Sequence, residues 1–286
     1  MRGCLSPGGT RVYISGQIGL MGRPAELGSF VMSTDTNTDI AGFIERAELA
    51  ETPPSGIRGL AGIPTLASEI EQGAIVDSNV VTYRKDVPEQ LRNDVANWLF
   101  LAQRVATKKV PDISDAKEWT DEYYKTLLGS GWVTRGQVGS FHKENVKGSN
   151  VHENILRVAT VLLAPASAAL AIVTAAITAL GDMDKGSPWI TLFNRRAEDA
   201  TAVGFQVADC TPNGEGGASL ECLDFQFYAY KSMTKVLFFT FESERAELRR
   251  RRVIIDLPAA TIAQFRDQVA TKVRGKIADN IAAYDL

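Results

Sequence analysis

The chain has 286 residues, and 45% of them are hydrophobic, which is enough to bury a sizeable core as one large domain, with or without a smaller N-terminal extension. The 31 Lys and Arg residues and 34 Asp and Glu residues give a formal net charge of -3, without the basic excess that nucleic-acid binding requires, so we expect no nucleic-acid partner. Three cysteines and two histidines lack the spacing of a structural zinc site, and we predict no metal site and a reducing compartment.

The N-terminal quarter differs in composition from the rest of the chain. Residues 1–75 are rich in Gly, Pro, Ser and Thr, and we expect a loosely structured arm there, followed by one α/β domain over residues 76–286. The first residues contain no apolar stretch of signal-peptide length. We therefore expect cytoplasmic synthesis without a signal peptide, followed by membrane association or export by a non-classical route.

Two helices are predicted after this arm. Pro88 begins the first helix, which runs to about Thr107. Ser114 or Asp115 caps the second helix, which ends near Gly129. The segment from there to about residue 150 is predicted to be irregular.

A long helical segment follows, from Glu153 to Leu180, in which Pro165 should kink or split the helix. Val158 to Leu180 runs 23 residues without a charge, and nine of them are alanine. At about 1.5 Å per residue this stretch could cross a hydrocarbon core of about 30 Å, although its drive to insert is weak. A buried helix pair, a lipid-contacting segment and a transmembrane helix are the alternatives. The candidate side chains for a lipid slot or membrane contact are Leu162, Leu163, Leu170, Ile172, Val173 and Ile177.

Beyond Pro188 the hydrophobic period changes from helical to two. This pattern predicts five strands: Trp189–Asn194, Thr201–Ala208, Ser219–Tyr230, Thr234–Glu242 and Glu247–Leu257. A C-terminal helix from about Pro258 to Tyr284 should pack on the sheet. The expected fold is α+β, a single compact domain with an antiparallel β-meander in its C-terminal half packed against several helices.

Cys210 lies at the end of the strand predicted at Thr201–Ala208, before a Gly-rich turn, and Cys222 lies within the next predicted strand. Inert core packing is the common role of such residues, and a disulfide across the hairpin is an alternative. A catalytic arrangement of Cys210, His152 and a carboxylate can be formulated, but no nucleophile elbow or metalloprotease motif surrounds these residues. We therefore assign no catalytic residue from the sequence.

An arginine run at Arg249, Arg250, Arg251 and Arg252 falls within the last predicted strand. Neighbouring side chains in a strand point to opposite faces, so the run predicts an edge strand or hairpin rim. The alternative is contact with anionic lipid headgroups, worth about 1 kcal/mol per residue.

Several short blocks follow one another along the chain: Asp86–Asp94 (DVPEQLRND), Gly131-Trp132, Val151–Leu156 (VHENIL), Gly186–Asn194 (GSPWITLFN) and Lys235–Phe239 (KVLFF). In this order they resemble the Evf-type virulence factor family over about residues 80–286. The resemblance implies a compact α/β fold without known enzymatic activity. It also implies a cysteine with a thioester-linked palmitate whose chain lies in the core and assists membrane targeting. Cys210 matches that cysteine best by position, and Cys222 is its rival.

With what this resemblance implies, we expect a non-enzymatic, virulence-factor-like protein with membrane lipid as its peripheral partner and no cofactor other than a covalent palmitate. The alternative is a cysteine-dependent acyltransferase or hydrolase that uses Cys210 and His152. A plain interaction module with inert cysteines is the third hypothesis.

Overall fold

A mixed sheet of eight strands forms the centre of the described structure, a computed structural model. The described residues are 36–51, 66–67, 69–112, 114–136, 139–165, 167–183, 190, 200–233, 238–243, 245–277 and 280–286. The strands are β1 (Gln72–Val76), β2 (Asn79–Tyr83), β3 (Val133–Thr134), β4 (His142–Asn145), β5 (Ala200–Pro212), β6 (Ala218–Met233), β7 (Glu247–Leu257) and β8 (Ile281–Asp285). Their order is β3-β7-β6-β5-β2-β1-β8, and β4 also pairs with β7.

The strands β5, β6 and β7 form the antiparallel meander that the sequence predicts. The hairpin of β1 and β2 extends the sheet beyond β5, because β2 runs parallel to β5. The last strand, β8, pairs antiparallel with β1. Asp35–Leu286 forms one compact α+β unit.

Six helices pack on this sheet in the described ranges. They are α1 (Thr36–Arg46), α2 (Glu89–Lys109), α3 (Ala116–Gly129), α4 (Val151–Leu162), α5 (Ala168–Asp182) and α6 (Ala259–Val273). Side-chain caps stabilise the N-termini of α3 and α4. The Asp115 side chain accepts from the backbone N–H of Glu118, and the Asn150 side chain forms a capping box with Glu153.

The helices divide between the two faces of the sheet. On the front face, α1, α2, α3 and α6 share one apolar cluster with Tyr83, Cys210 and Leu220. On the back face, α4 and α5 share a second cluster with Phe205 and Phe225. Because side chains alternate along a strand, each central strand contributes to both clusters.

Most predicted helices are confirmed. The helices α2 and α3 begin and end close to the predicted residues. The segment around Pro165 splits the long helix, since α4 ends at Leu162 and α5 begins at Ala168. The strands β5, β6 and β7 contain the predicted strands there.

Other predictions were wrong. The C-terminal helix ends at Val273, Gly275 turns the chain with a φ of 78°, and residues 281–285 form β8. Residues 238–243 contain no strand, only a bridge between Thr240 and Asn150. Predicted strand residues 189, 191–194 and 234–237 lie outside the described residues.

The N-terminal region contains regular structure that the sequence did not predict. Helix α1 and all but the last residue of strand β1 fall within residues 1–75, and the segment before residue 150 contains β3 and β4. Residues 1–35 lie outside the described residues, so a loosely structured arm there stays a prediction.

Candidate functional site

The pair of helices α4 and α5 covers a stack of aromatic rings on the back face. Phe205 stacks on Phe225 with ring centroids 5.4 Å apart, and Phe227 stacks on Phe241 at the same distance. These rings and the inner side chains of α4 and α5 form the second apolar cluster. The back face between sheet and helices is therefore packed by apolar contact.

Most of the side chains predicted to form a lipid slot lie in or against this cluster. Leu163, Ile172, Val173 and Ile177 are buried, whereas Leu162 and Leu170 are half-buried. All of these residues except Ile172 belong to this cluster or pack against it.

The outer surface of α4 and α5 carries no charged side chain from Val158 to Gly181. Val161 is 60% exposed there, the most exposed large hydrophobic side chain of the described residues. The other exposed residues of this surface are Thr160, Ala164, Pro165, Ala168, Ala171, Ala175 and Thr178. No helix in the described ranges combines the length and the apolar composition that a membrane crossing requires.

The two strand cysteines are free thiols on the front face, so the disulfide alternative is not supported. Cys210 lies beside Tyr83 of β2 and opposite Leu220 of β6, and it is fully buried. Burial raises the pKa of the Cys210 thiol, and burial likewise raises the pKa of the Cys222 thiol. A catalytic thiol needs the opposite shift, because the thiolate is the nucleophile.

His152 lies on α4, so the sheet separates it from Cys210. Its imidazole packs against Gly181 of α5, where a Cβ atom would overlap the ring. Its Nε2 is buried without a hydrogen-bond partner among the described atoms. The predicted Cys210–His152 pair is therefore not assembled. His142 lies exposed on β4. Among the described residues, no group of three His, Cys, Asp or Glu side chains could hold a metal ion.

A buried polar network joins α3 to the front face of the sheet. The Tyr124 hydroxyl donates to Asp224 over 2.6 Å, and the Gln206 amide nitrogen donates to the same carboxylate over 2.9 Å. The Arg251 Nε donates to Asp224 over 2.6 Å, and the Tyr123 hydroxyl donates to Gln206 over 2.8 Å. Burial raises the pKa of Tyr124, and the Asp224 carboxylate raises it further. No feature of the sequence pattern predicts this network.

The arginine run lies on β7, between β6 and the short strands β3 and β4, so the edge-strand prediction was wrong for Arg249 and Arg250, which pair with β4. Because β3 pairs with residues 255–256, no described strand pairs with Arg251 and Arg252 on that side. Each of the four arginines pairs with a carboxylate: Arg249 with Glu247, Arg250 with Glu144, Arg251 with Asp224 and Arg252 with Glu221. Arg252 has the most exposed side chain of the four, at 42%. The run neutralises neighbouring acids on both faces of the sheet.

Arg92 of α2 is a fully buried cation on the front face. Its Nε donates to the Val87 carbonyl over 2.8 Å, and its Nη2 donates to the carbonyls of Ile70 and Arg84 over 2.8 Å each. Its Nη1 is buried without a hydrogen-bond partner among the described atoms. The sequence offers no signal for this role, since one arginine in a helix usually lies at the surface.

No protein-family profile and no curated protein sequence matches the chain. Solved structures with a similar arrangement include a delta-endotoxin, at 14% identity and a TM-score of 0.37, covering 74% of this chain and 90% of that one. The activated Cyt2Ba monomer from Bacillus thuringiensis subsp. israelensis is similar at 10% identity and a TM-score of 0.35, over 64% of this chain and 98% of that one. The Evf virulence factor is similar at 13% identity and a TM-score of 0.35, over 82% of this chain and 88% of that one. Membership of the Evf-type family stays a prediction.

Proposed function

We propose that the protein is a non-enzymatic, virulence-factor-like protein that binds membrane lipid peripherally through the outer surface of α4 and α5, and that Cys210 can carry a thioester-linked fatty acid. The observation that carries the proposal is the absence of charge on this exposed surface between Val158 and Gly181. A surface helix ordinarily presents charged residues to water on the face opposite its apolar stripe.

Lipid is the environment that this surface fits. Each Asp, Lys or Arg at the centre of a bilayer-spanning helix costs about 2.5–3.5 kcal/mol, so a lipid-contacting surface is expected to lack them. The exposed residues are mostly alanine and threonine, whose drive into hydrocarbon is small, and Val161 is the one large apolar side chain among them. This composition supports adsorption at the membrane surface in place of insertion across it.

A fatty acid on Cys210 would supply a second anchor. One acyl chain gives only marginal membrane binding, so an acylated protein needs another contact for stable attachment. In the folded protein the chain would begin in the front-face cluster around Tyr83 and Leu220, on the other side of the sheet from α5. Cys222 is the alternative attachment residue, and it lies on the same face.

The enzymatic alternative has less support. Its base, His152, lies across the sheet from Cys210, and burial raises the pKa of the thiol. Headgroup binding by the arginine run also has less support, because carboxylates of the protein already pair with all four side chains.

The membrane contact is tested by cosedimentation with liposomes of neutral and anionic phospholipid. Val161→Glu and Ala171→Glu each place a charge on the outer surface, where both residues are exposed. Because a cost of about 1.4 kcal/mol is a tenfold change in affinity, we expect each variant to lower partitioning on the order of tenfold without changing the urea midpoint.

Leu128→Glu on α3 is the matched control, because Leu128 is 38% exposed on a helix of the front face. We expect it to leave partitioning unchanged. Equal partitioning of all three variants and the unsubstituted protein would contradict the proposed surface. Acylation is tested separately by intact mass before and after neutral hydroxylamine, which removes thioester-linked chains, with peptide mapping of the cysteines.

A further inference from the structure

Arg92 differs from the buried Arg104 and the partly buried Arg251 in having no carboxylate partner among the described residues. Arg104 pairs with Asp77, and Arg251 pairs with Asp224. The three described hydrogen bonds of Arg92 all go to backbone carbonyls, and the two hydrogens of its Nη1 have no acceptor among the described atoms. Burial lowers the pKa of this guanidinium, which reflects the cost of keeping its charge away from water.

The position of Arg92 joins it to Cys210. Tyr83 and Cys210 are directly paired residues of the parallel strands β2 and β5, so their side chains share the front face. The Arg92 guanidinium lies over the Tyr83 ring, 5.6 Å from its centroid. The carbonyl of Arg84 accepts from Arg92, and the N–H of Arg84 donates to the carbonyl of Cys210 over 3.4 Å. Burial raises the pKa of the Cys210 thiol, and the positive charge of Arg92 opposes part of that rise.

A buried donor without an acceptor costs about 1–3 kcal/mol, and more when it is charged. Such a group in a folded protein therefore indicates a missing acceptor, either ordered water or a bound group. Cys210, the residue proposed to carry the fatty acid, is paired with Tyr83, over whose ring the Arg92 guanidinium lies. A thioester on Cys210 would bring a carbonyl oxygen to this location, and a carbonyl is the type of acceptor that the other Arg92 nitrogens already bind.

We infer that Arg92 is a positioning residue of the acyl site: its Nη1 donates to the carbonyl oxygen of a fatty acyl thioester on Cys210. The inference rests on the proposed acylation. In the transfer, Cys210 Sγ bonds to the carbonyl carbon of a long-chain acyl thioester, the carbon–sulfur bond of the donor breaks, and the thiol proton leaves with the released donor thiol. Arg92 first stabilises the oxyanion of the tetrahedral intermediate and then holds the product carbonyl.

The test compares unsubstituted protein, Arg92→Lys and Arg92→Met, each expressed with palmitate labelled at its carbonyl carbon. The readouts are acyl occupancy by hydroxylamine-sensitive mass and the infrared stretch of the labelled thioester carbonyl. A hydrogen bond weakens the carbonyl bond, so we expect the stretch at its lowest frequency in unsubstituted protein and at a higher frequency in Arg92→Met. A purely structural role of Arg92 would lower the urea midpoint and leave the carbonyl frequency unchanged.

A second measurement needs no variant. In unsubstituted protein labelled with ¹⁵N-arginine, the Arg92 side-chain resonances should differ between acylated protein and protein made in a cell-free system without acyl donors. Unchanged Arg92 resonances, or equal carbonyl frequencies in folded unsubstituted and Arg92→Met protein, would overturn the role of Arg92 and leave the acylation intact. Lack of acylation, both in cells and with palmitoyl-coenzyme A in vitro, would overturn the acyl site and this inference with it.

Discussion

On β6, Asp224 and Gln226 point to the front face of the sheet, and Phe225 and Phe227 point to the back face. The front residues hold α3 through directional hydrogen bonds, whereas the back residues hold α4 and α5 by apolar contact. One strand therefore contributes to two layers whose stability depends on different interactions. The front layer depends on the partners and protonation states of buried polar groups, and the back layer depends on volume.

The largest expected effect on the back face follows removal of one ring from the aromatic stack. Phe227→Ala should lower the free energy of unfolding by about 3–5 kcal/mol, because Phe227 is fully buried between Phe225 and Phe241. Urea denaturation measures this loss. Phe227→Leu keeps much of the volume and should lose less. An equal loss in both variants would contradict packing as the dominant contribution.

On the front face, Arg251→Met should cost about 3–5 kcal/mol, because it leaves the buried Asp224 carboxylate without its cation. The double variant Arg251→Met/Asp224→Leu should recover much of that loss, since it removes both charges. Urea denaturation of the single and double variants forms the test. A double variant as unstable as the sum of its single variants would show that the pair is not coupled.

A smaller effect should appear in the pH dependence of the free energy of unfolding, and it should come from the front face. Burial raises the pKa of the Cys210 and Cys222 thiols, so the folded state retains both protons at pH values where the unfolded chain loses them. Their contribution to stability is complete below the unfolded pKa of about 8.5 and is lost as the pH rises through the folded pKa values. The free energy of unfolding should therefore fall by about 1.4 kcal/mol per pH unit for each thiol above about pH 9.

Urea denaturation at several pH values between 8 and 10 checks this slope. The double variant Cys210→Ala/Cys222→Ala should have a flatter alkaline profile, and the front-face tyrosines should add their own loss above about pH 10. Burial raises the pKa of Tyr123 and Tyr124 as well. An unchanged slope in the double variant would mean that the thiols titrate equally in the folded and unfolded states.

The sequence predicts the meander well because β5, β6 and β7 alternate in character along their length. It does not predict β1, where all five residues are buried and no alternation appears. It misassigns β8 because Ile277 and Ile281 continue the apolar spacing of α6, although Gly275 has already turned the chain. Periodicity alone does not show where a turn interrupts it.

The candidate site was predictable only in part. The uncharged stretch of α4 and α5 can be recognised from the sequence alone, because charged residues can be counted without a structure. The front-face network is not, since Gln206 and Asp224 occupy the alternate positions of their strands that usually face water. Here α3 covers those positions, and that tertiary contact is not encoded in either strand alone.

The position of β2 in the sheet has a consequence for how the chain reaches this fold. Thr82 donates to Asp209, a partner 127 residues later in the chain, and β1 pairs with β8 at residues 281–285. During synthesis, both open edges of the β1–β2 hairpin therefore lack their native partners until most of the polypeptide has been made. Such distant pairings slow folding and leave strand edges open to pairing with other chains. Slower growth at low temperature, which reduces the concentration of incomplete chains, should therefore increase the yield of folded protein.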